Sequence, residues 1–253
     1  MRAVLFDLDG TLLPMDQDLF VKAYLRELGS KGAALGLNPQ KFVRTVMVGL
    51  EAMINNDGSQ TNEALFWQVF VQDFGPETEK YAAEFQRFYS NEFRRVASAV
   101  SPTPLASEYM RLLRAKGYDL VLATNPVFPK AATLERMRWA GLDPDDFVLI
   151  TTYEDFSFAK PNPNYYREIL EVIGAKAEDC LMIGNDVQED LAAKQVGMEV
   201  FLVTDDLINP DGLDISQFKR GDRRALLEMI TALPPAAGTG GESGQKNLIK
   251  KIK

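Results

Sequence analysis

The sequence contains no histidine. That absence removes Ser-His-Asp and Cys-His catalysis, histidine-ligated zinc and histidine acid/base work together, so any chemistry must run on carboxylates, lysine, hydroxyls or a hard metal ion. Cysteine is nearly as scarce: Cys180 stands alone, which excludes an internal disulfide, and its apolar surroundings suit a buried small hydrophobe better than a reactive thiol. No uninterrupted apolar run approaches the roughly 18 residues of a membrane span. The opening Met1-Arg2-Ala3-Val4-Leu5-Phe6-Asp7 reaches an acid before the apolar region of a signal peptide could form. The expected location is cytoplasmic, with no membrane partner. Positive charge is in the minority, 28 Lys and Arg against 36 Asp and Glu for a net charge of −8, so nucleic acid is not an expected partner.

What is present is an ordinary globular composition. Hydrophobic residues make up 46% and charged residues 25% of 253, enough for one large domain or a core with an insertion. Five short apolar runs read as strands: Ala3 to Leu8, Tyr118 to Thr124, Phe147 to Thr151, Cys180 to Gly184 and Glu199 to Thr204. The later ones alternate with helical patterns that end at Gly117 and Gly141, the signature of an α/β fold with a parallel sheet covered on both faces.

The interval from about 15 to 100 breaks that alternation. It holds no convincing strand, only helical patterns starting near Asp16, Asn38-Pro39, Thr61 and Gly75-Pro76. Two aromatic stripes at helical spacing, Leu65-Val69-Phe70-Phe74 and Phe85-Phe88-Tyr89-Phe93, suit the core of a small bundle. The expected organisation is an α/β core over 1–15 and 100–233, a helical insertion over 16–99, and a disordered Gly/Ser/Pro and lysine-containing tail over 234–253.

The first strand ends in Asp7-Leu8-Asp9-Gly10-Thr11-Leu12. Alternation places both acids on one side at the carboxyl end of a strand, where open α/β sheets bind ligands. Two like charges held there repel unless a cation or a shared proton relieves them. Further along stand Thr124-Asn125 at the end of the second strand, Lys160-Pro161 before a helix, and Gly184-Asn185-Asp186 with Asp190 after the fourth strand. Each alone is an ordinary strand end, surface dipeptide or loop; their order is what counts.

In that order the chain resembles the haloacid dehalogenase-like superfamily of phosphohydrolases, whose first motif has the form DxDGT. The resemblance covers residues 1 to about 15 and about 100 to 205. It implies a Rossmann-like core with an all-helical C1 cap, and a magnesium-dependent phosphatase acting on a small phosphorylated metabolite. Asp7 is then the nucleophile and Asp9 the acid that protonates the leaving oxygen and later activates water. Thr124, the Asn125 amide and Lys160 hold the phosphoryl group. Asp7, Asp186 and the backbone carbonyl of Asp9 ligate Mg2+, and Asp190 supports that shell or Lys160. The commonest form of the last motif has Asp directly after Gly; here Asn185 holds that place, and alignment back from Asp190-Leu191 favours Asp186. Asp9 argues against dehalogenases and phosphonate-cleaving members, which lack an acid there. The alternatives are a phosphomutase, which the missing histidine disfavours, and a non-catalytic phosphate-binding regulatory protein. Phosphoglycolate, nucleoside monophosphates and sugar phosphates are all compatible substrates, and the oligomeric state is open.

Overall fold

In the computed structural model residues 1–236 are described, so most of the expected tail, from 237 onward, lies outside the described residues. Among the described residues six strands form one sheet: β1 Ala3–Phe6, β2 Asp119–Leu122, β3 Leu149–Ile150, β4 Cys180–Gly184, β5 Glu199–Val203 and β6 Lys219–Gly221. Their order is β3-β2-β1-β4-β5-β6 and every pairing is parallel. This is the α/β architecture read from the sequence, with one strand more than expected. The edge strand β6 reads Lys-Arg-Gly and is largely exposed, so it carries no apolar alternation to reveal it.

Nine α-helices occur among the described residues: α1 Gln17–Ala34, α2 Pro39–Ile54, α3 Asn62–Phe74, α4 Glu79–Ser90, α5 Leu105–Ala115, α6 Lys130–Trp139, α7 Pro163–Ile173, α8 Val187–Leu191 and α9 Arg223–Ala232. Strand β1 is apolar on both faces because both faces are covered. Val4 and Phe6 join Tyr109 and Leu113 of α5 and Leu226 and Ile230 of α9 on one side. Ala3 and Leu5 join Tyr165, Ile169 and Ile173 of α7 on the other. The Phe6 ring lies parallel to that of Tyr109 with centroids 6.5 Å apart.

Between β1 and β2 the chain runs through α1, α2, α3, α4, a 3-10 segment over Glu92–Ala99, and α5. Local chemistry starts these helices where the sequence suggests. Asp16 accepts a hydrogen bond from the Leu19 N–H at 3.0 Å, Asn38 from that of Lys41 at 2.9 Å, and Thr61 from that of Ala64 at 3.2 Å. Phe85, Phe88, Tyr89 and Phe93 are buried together, as their spacing implied. The expected stripe on α3 is out of phase. Its buried residues are Asn62, Phe66 and Phe70, with Leu65, Val69 and Phe74 only half-buried. Docking onto the core sets that phase: the Asn62 N–H donates to the Phe156 carbonyl and that of Glu63 to the Tyr153 carbonyl, both at 2.8 Å. The Asn62 side-chain amide donates to the Pro126 carbonyl at 3.0 Å.

The insertion thus rests on loops that follow β2 and β3. Where the chain enters and leaves it, Met15 and Val100 form an antiparallel bridge and the Ser101 N–H donates to the Pro14 carbonyl at 2.8 Å.

Candidate active site

Asp7 stands at the last rung of the sheet, its N–H donating to the Ile183 carbonyl at 2.9 Å. From there its Oδ1 accepts from Lys160 Nζ at 2.9 Å, and the same ammonium donates to Asp190 Oδ1 at 2.7 Å. Lys160 is completely buried. It comes from the segment just before α7, where its backbone N–H donates to Asn125 Oδ1 at 3.1 Å. The Asn125 amide in turn donates to Glu189 Oε1 at 2.8 Å. Thr124 is buried beside this pair, and its carbonyl accepts from the Tyr165 hydroxyl at 2.8 Å and the Thr151 hydroxyl at 2.6 Å. Residues far apart in sequence are therefore wired into one cluster at the carboxyl end of the sheet.

The fourth motif splits its duties. Asp190 Oδ2 accepts from the Asp186 N–H at 2.9 Å, and any side chain at Gly184 would overlap the Asp190 carboxylate. Asp186 caps α8, its Oδ1 accepting from the N–H groups of Gln188 at 2.8 Å and Glu189 at 2.9 Å. Asn185 ties loops together: its Oδ1 accepts from the Thr11 hydroxyl at 2.9 Å and its amide donates to the Asp206 carbonyl at 2.7 Å. Gly10, at φ +81°, has no room for a side chain against Asn185.

Asp9 follows a different path. Alternation places it beside Asp7, and the two carboxylates do repel each other. The chain leaves the sheet after Phe6 and turns, with Asp9 bridging to Leu13. The Asp9 carboxylate then pairs through Oδ2 with Arg136 Nη1 of α6, while Oδ1 is buried without a hydrogen-bond partner.

Charge explains how the cluster titrates. Burial is the main force on Asp7, Asp190 and Asp9 add to it and Lys160 opposes it, leaving the carboxyl raised to about 7. Burial also works against the Lys160 charge, but Asp190 and Asp7 more than offset it and hold the ammonium well above its ordinary range. Glu189 is pushed up to about 8 by burial, against the pull of Lys160 and with the repulsion of Asp190 and Asp186. Asp186 is raised by burial, despite the helix N–H groups it accepts from. The site holds more acid than base, with Lys160 and Arg136 set against Asp7, Asp9, Asp186, Glu189 and Asp190. Its donors are all oxygens, which suits a hard divalent cation. Among the described residues no three acidic, histidine or cysteine side chains form a ready-made cage. An oxygen shell completed by water requires no such cage, and donors of this kind fit magnesium.

Several supporting residues gave no sequence signal. Arg136 is one. Arg223 is another: its Nη2 donates to the Gly10 carbonyl at 2.7 Å and its guanidinium pairs with Asp205 and Asp206, so α9 braces the loop after β1. In the insertion, Arg87 pairs with Glu84, Arg94 with Glu135 and Arg95 with Glu27. Where the insertion meets the core lies an apolar cavity of about 40 Å³ walled by rings, among them Tyr24, Phe66, Tyr89 and Phe128.

Comparison with known proteins gives the chain relatives and a family. The chain is 29% identical over 204 residues to a phosphoglycolate phosphatase of Neisseria gonorrhoeae, covering 78% of this chain and 77% of that protein. It is 28% identical over 228 residues to a glyceraldehyde 3-phosphate phosphatase of Methanothermobacter thermautotrophicus, covering 85% and 94%. Among solved structures, the magnesium-bound HAD hydrolase YfnB of Bacillus subtilis shares the fold with a TM-score of 0.53 at 22% identity, over 92% of this chain and 99% of that one. The family model of haloacid dehalogenase-like hydrolases matches residues 1–197, the span that carries the acid pair, the buried lysine and the last motif, and the chain belongs to that family.

Proposed function

We propose that the protein is a magnesium-dependent phosphatase that hydrolyses a small phosphomonoester through an aspartyl-phosphate intermediate. The observation that carries this reading is the buried chain Asp7–Lys160–Asp190, with a second carboxyl, Asp9, held near Asp7 on a separate partner. The phosphatase names of the relatives support a phosphate ester as substrate.

In this mechanism a carboxylate oxygen of Asp7 attacks phosphorus and the bond to the ester oxygen breaks. The departing alkoxide takes its proton from the Asp9 carboxyl. Asp9, now ionised, accepts a proton from water as that water attacks the phosphoryl group, which frees Asp7 and inorganic phosphate. Lys160 offsets phosphoryl charge while keeping Asp7 in place. The Thr124 hydroxyl and the Asn125 backbone N–H would donate to phosphoryl oxygens, the Asn125 side chain being engaged by Lys160 and Glu189. Magnesium would be held by Asp7, Asp186 and the Asp9 carbonyl, and when bound it supplies neutralising charge for the acid cluster and the phosphate. Asp190 holds Lys160 and the Asp186 backbone. We assign the helical insertion over 16–99 the role of a C1 cap and the remainder, 1–15 and 100–233, that of the catalytic core.

The test is turnover of a panel of phosphorylated metabolites and an aryl phosphate, with magnesium and after chelation. Metal-dependent release of phosphate, with a phosphorylated Asp7 trapped by rapid quench, is expected. Binding of phosphate without turnover of any ester would overturn the reading.

A further inference from the structure

Arg136 has no part in the mechanism above, yet it is among the most buried large side chains of the molecule, with 1% exposure. An arginine carries its charge into such a place only where partners receive it. Its Nη1 meets Asp9 Oδ2, its Nη2 donates to the Thr133 hydroxyl at 3.3 Å, and its Nε donates to the Ala132 carbonyl at 3.4 Å. The guanidinium carbon lies 4.4 Å from the centre of the Phe128 ring, which covers one face. A planar fork gripped in this way has little freedom, and neither has the oxygen it binds. The other oxygen of Asp9 is buried without a partner, a condition native structures rarely leave unused.

The elements that hold Arg136 also hold the insertion. Phe128 packs on Tyr24 of α1 with centroids 5.4 Å apart. On α6 itself, Trp139 stacks on Phe93 at 5.1 Å, and Glu135 pairs with Arg94 at 3.6 Å. Helix α6 therefore lies between the insertion and Asp9.

We propose that Arg136 is the positioning residue of Asp9, fixing Oδ2 and with it the orientation of the carboxyl that gives its proton to the leaving oxygen. The inference rests on the phosphatase reading and adds a residue to it. Arg136 touches neither phosphorus nor the leaving group; it acts through the geometry of the acid.

The distinguishing measurement is the leaving-group dependence of enzyme phosphorylation in single-turnover kinetics. An alkoxide needs the proton and an activated phenolate hardly does. Arg136→Gln should lose about 10- to 100-fold with an alkyl phosphate and under about threefold with a nitrophenyl phosphate. Arg136→Lys should recover part of the alkyl rate. In the double variant with Asp9→Asn, the alkyl loss should not exceed that of Asp9→Asn alone, because both changes remove one function. Thr133→Val, which keeps the guanidinium and loosens it, should show a smaller loss in the same direction and guards against misfolding of Arg136→Gln. Equal losses on both esters, or losses that multiply in the double variant, would overturn the positioning role while leaving the phosphatase reading intact. A wild-type protein that turns over no ester with magnesium would overturn both.

Discussion

On the proposed reading the site has a floor and a roof, and the two are built from opposite materials. The floor is ionic: Lys160 lies between Asp7 and Asp190, with Asn125 hydrogen-bonded to it and Glu189 hydrogen-bonded to Asn125. The roof, where the insertion meets the core, is a set of aromatic rings around a small apolar cavity. Phosphoryl chemistry needs fixed charges at fixed distances, and a floor made by strand ends and short loops of a parallel sheet supplies them. Rings on helices fill space without demanding one geometry. On the proposed reading the floor does the chemistry and the roof chooses what receives it, and the two should fail differently when altered.

The largest effect belongs to the floor. Asp7→Asn should lower turnover on the order of 10⁴-fold or more while melting stays cooperative, checked by kinetics and circular dichroism on one preparation. Near-normal rates would remove Asp7 from the role of nucleophile. Lys160→Met should abolish activity and also destabilise by about 3–5 kcal/mol, since it strands two buried carboxylates; denaturant titration measures this. A roof residue should show the reverse balance. Leu50 also lines the apolar cavity, and Leu50→Ala, which enlarges it, should change kcat/KM ratios among esters by about tenfold or less while leaving phosphorylation by a small aryl ester nearly untouched. A uniform loss on all esters would erase the distinction between roof and floor.

A pH experiment sharpens the same contrast. In the metal-free folded protein Asp7 keeps its proton up to about 7, against an ordinary value of 3.8. Between those values the folded state binds more protons than the unfolded one. Stability tied to this group is therefore full below about pH 4 and lost as the pH rises to about 7. With chelator present, wild type should lose stability relative to Asp7→Asn across that window. Magnesium should restore more stability near pH 8 than near pH 5, because a cation must displace the proton. Thermal melts at several pH values, with and without magnesium, read both slopes. The smallest effect concerns the last motif: Asp186→Ala should raise the magnesium requirement more than Asn185→Ala, whose main cost should be the loosened Thr11 and Asp206 contacts. The reverse order would move the metal to Asn185.

The same division decides what could be read from sequence. Strand β4 matches the apolar run Cys180 to Gly184 residue for residue, because a strand covered on both faces has no other pattern to show. The helices of the insertion start where Asp16, Asn38 and Thr61 cap them, a signal confined to three or four residues. Asp7 stood out because two acids at one strand end repel unless something relieves them, and Lys160 and Asp190 because they follow it in the order of the family's motifs. Arg136 did not. Six of the ten residues of α6 are buried, Glu135 and Arg136 among them, so no polar face separates a buried arginine from a solvated one. Its partner lies 127 positions away, and only the fold brings them together. Arg223 was hidden for the same reason, its contacts at Gly10 and Thr11 being more than 200 residues distant. The phase of α3 was missed because Asn62, a polar residue, leads its buried line.

The paired crossings at Met15 and Val100 bear on how such a chain can be assembled and altered. Both ends of the insertion meet in one antiparallel bridge, so to the core the whole segment is a closed loop. The entropy of closing a loop grows only with the logarithm of its length, each doubling costing about 0.6 kcal/mol. Closure therefore sets little limit on the length of the segment, and what it must keep are the contacts of Asn62 and Glu63 with the core loops and the stack of Phe93 on Trp139. On the proposed reading, a catalytic floor with one inexpensive doorway of this kind can change its roof, and with it its clientele, without being rebuilt.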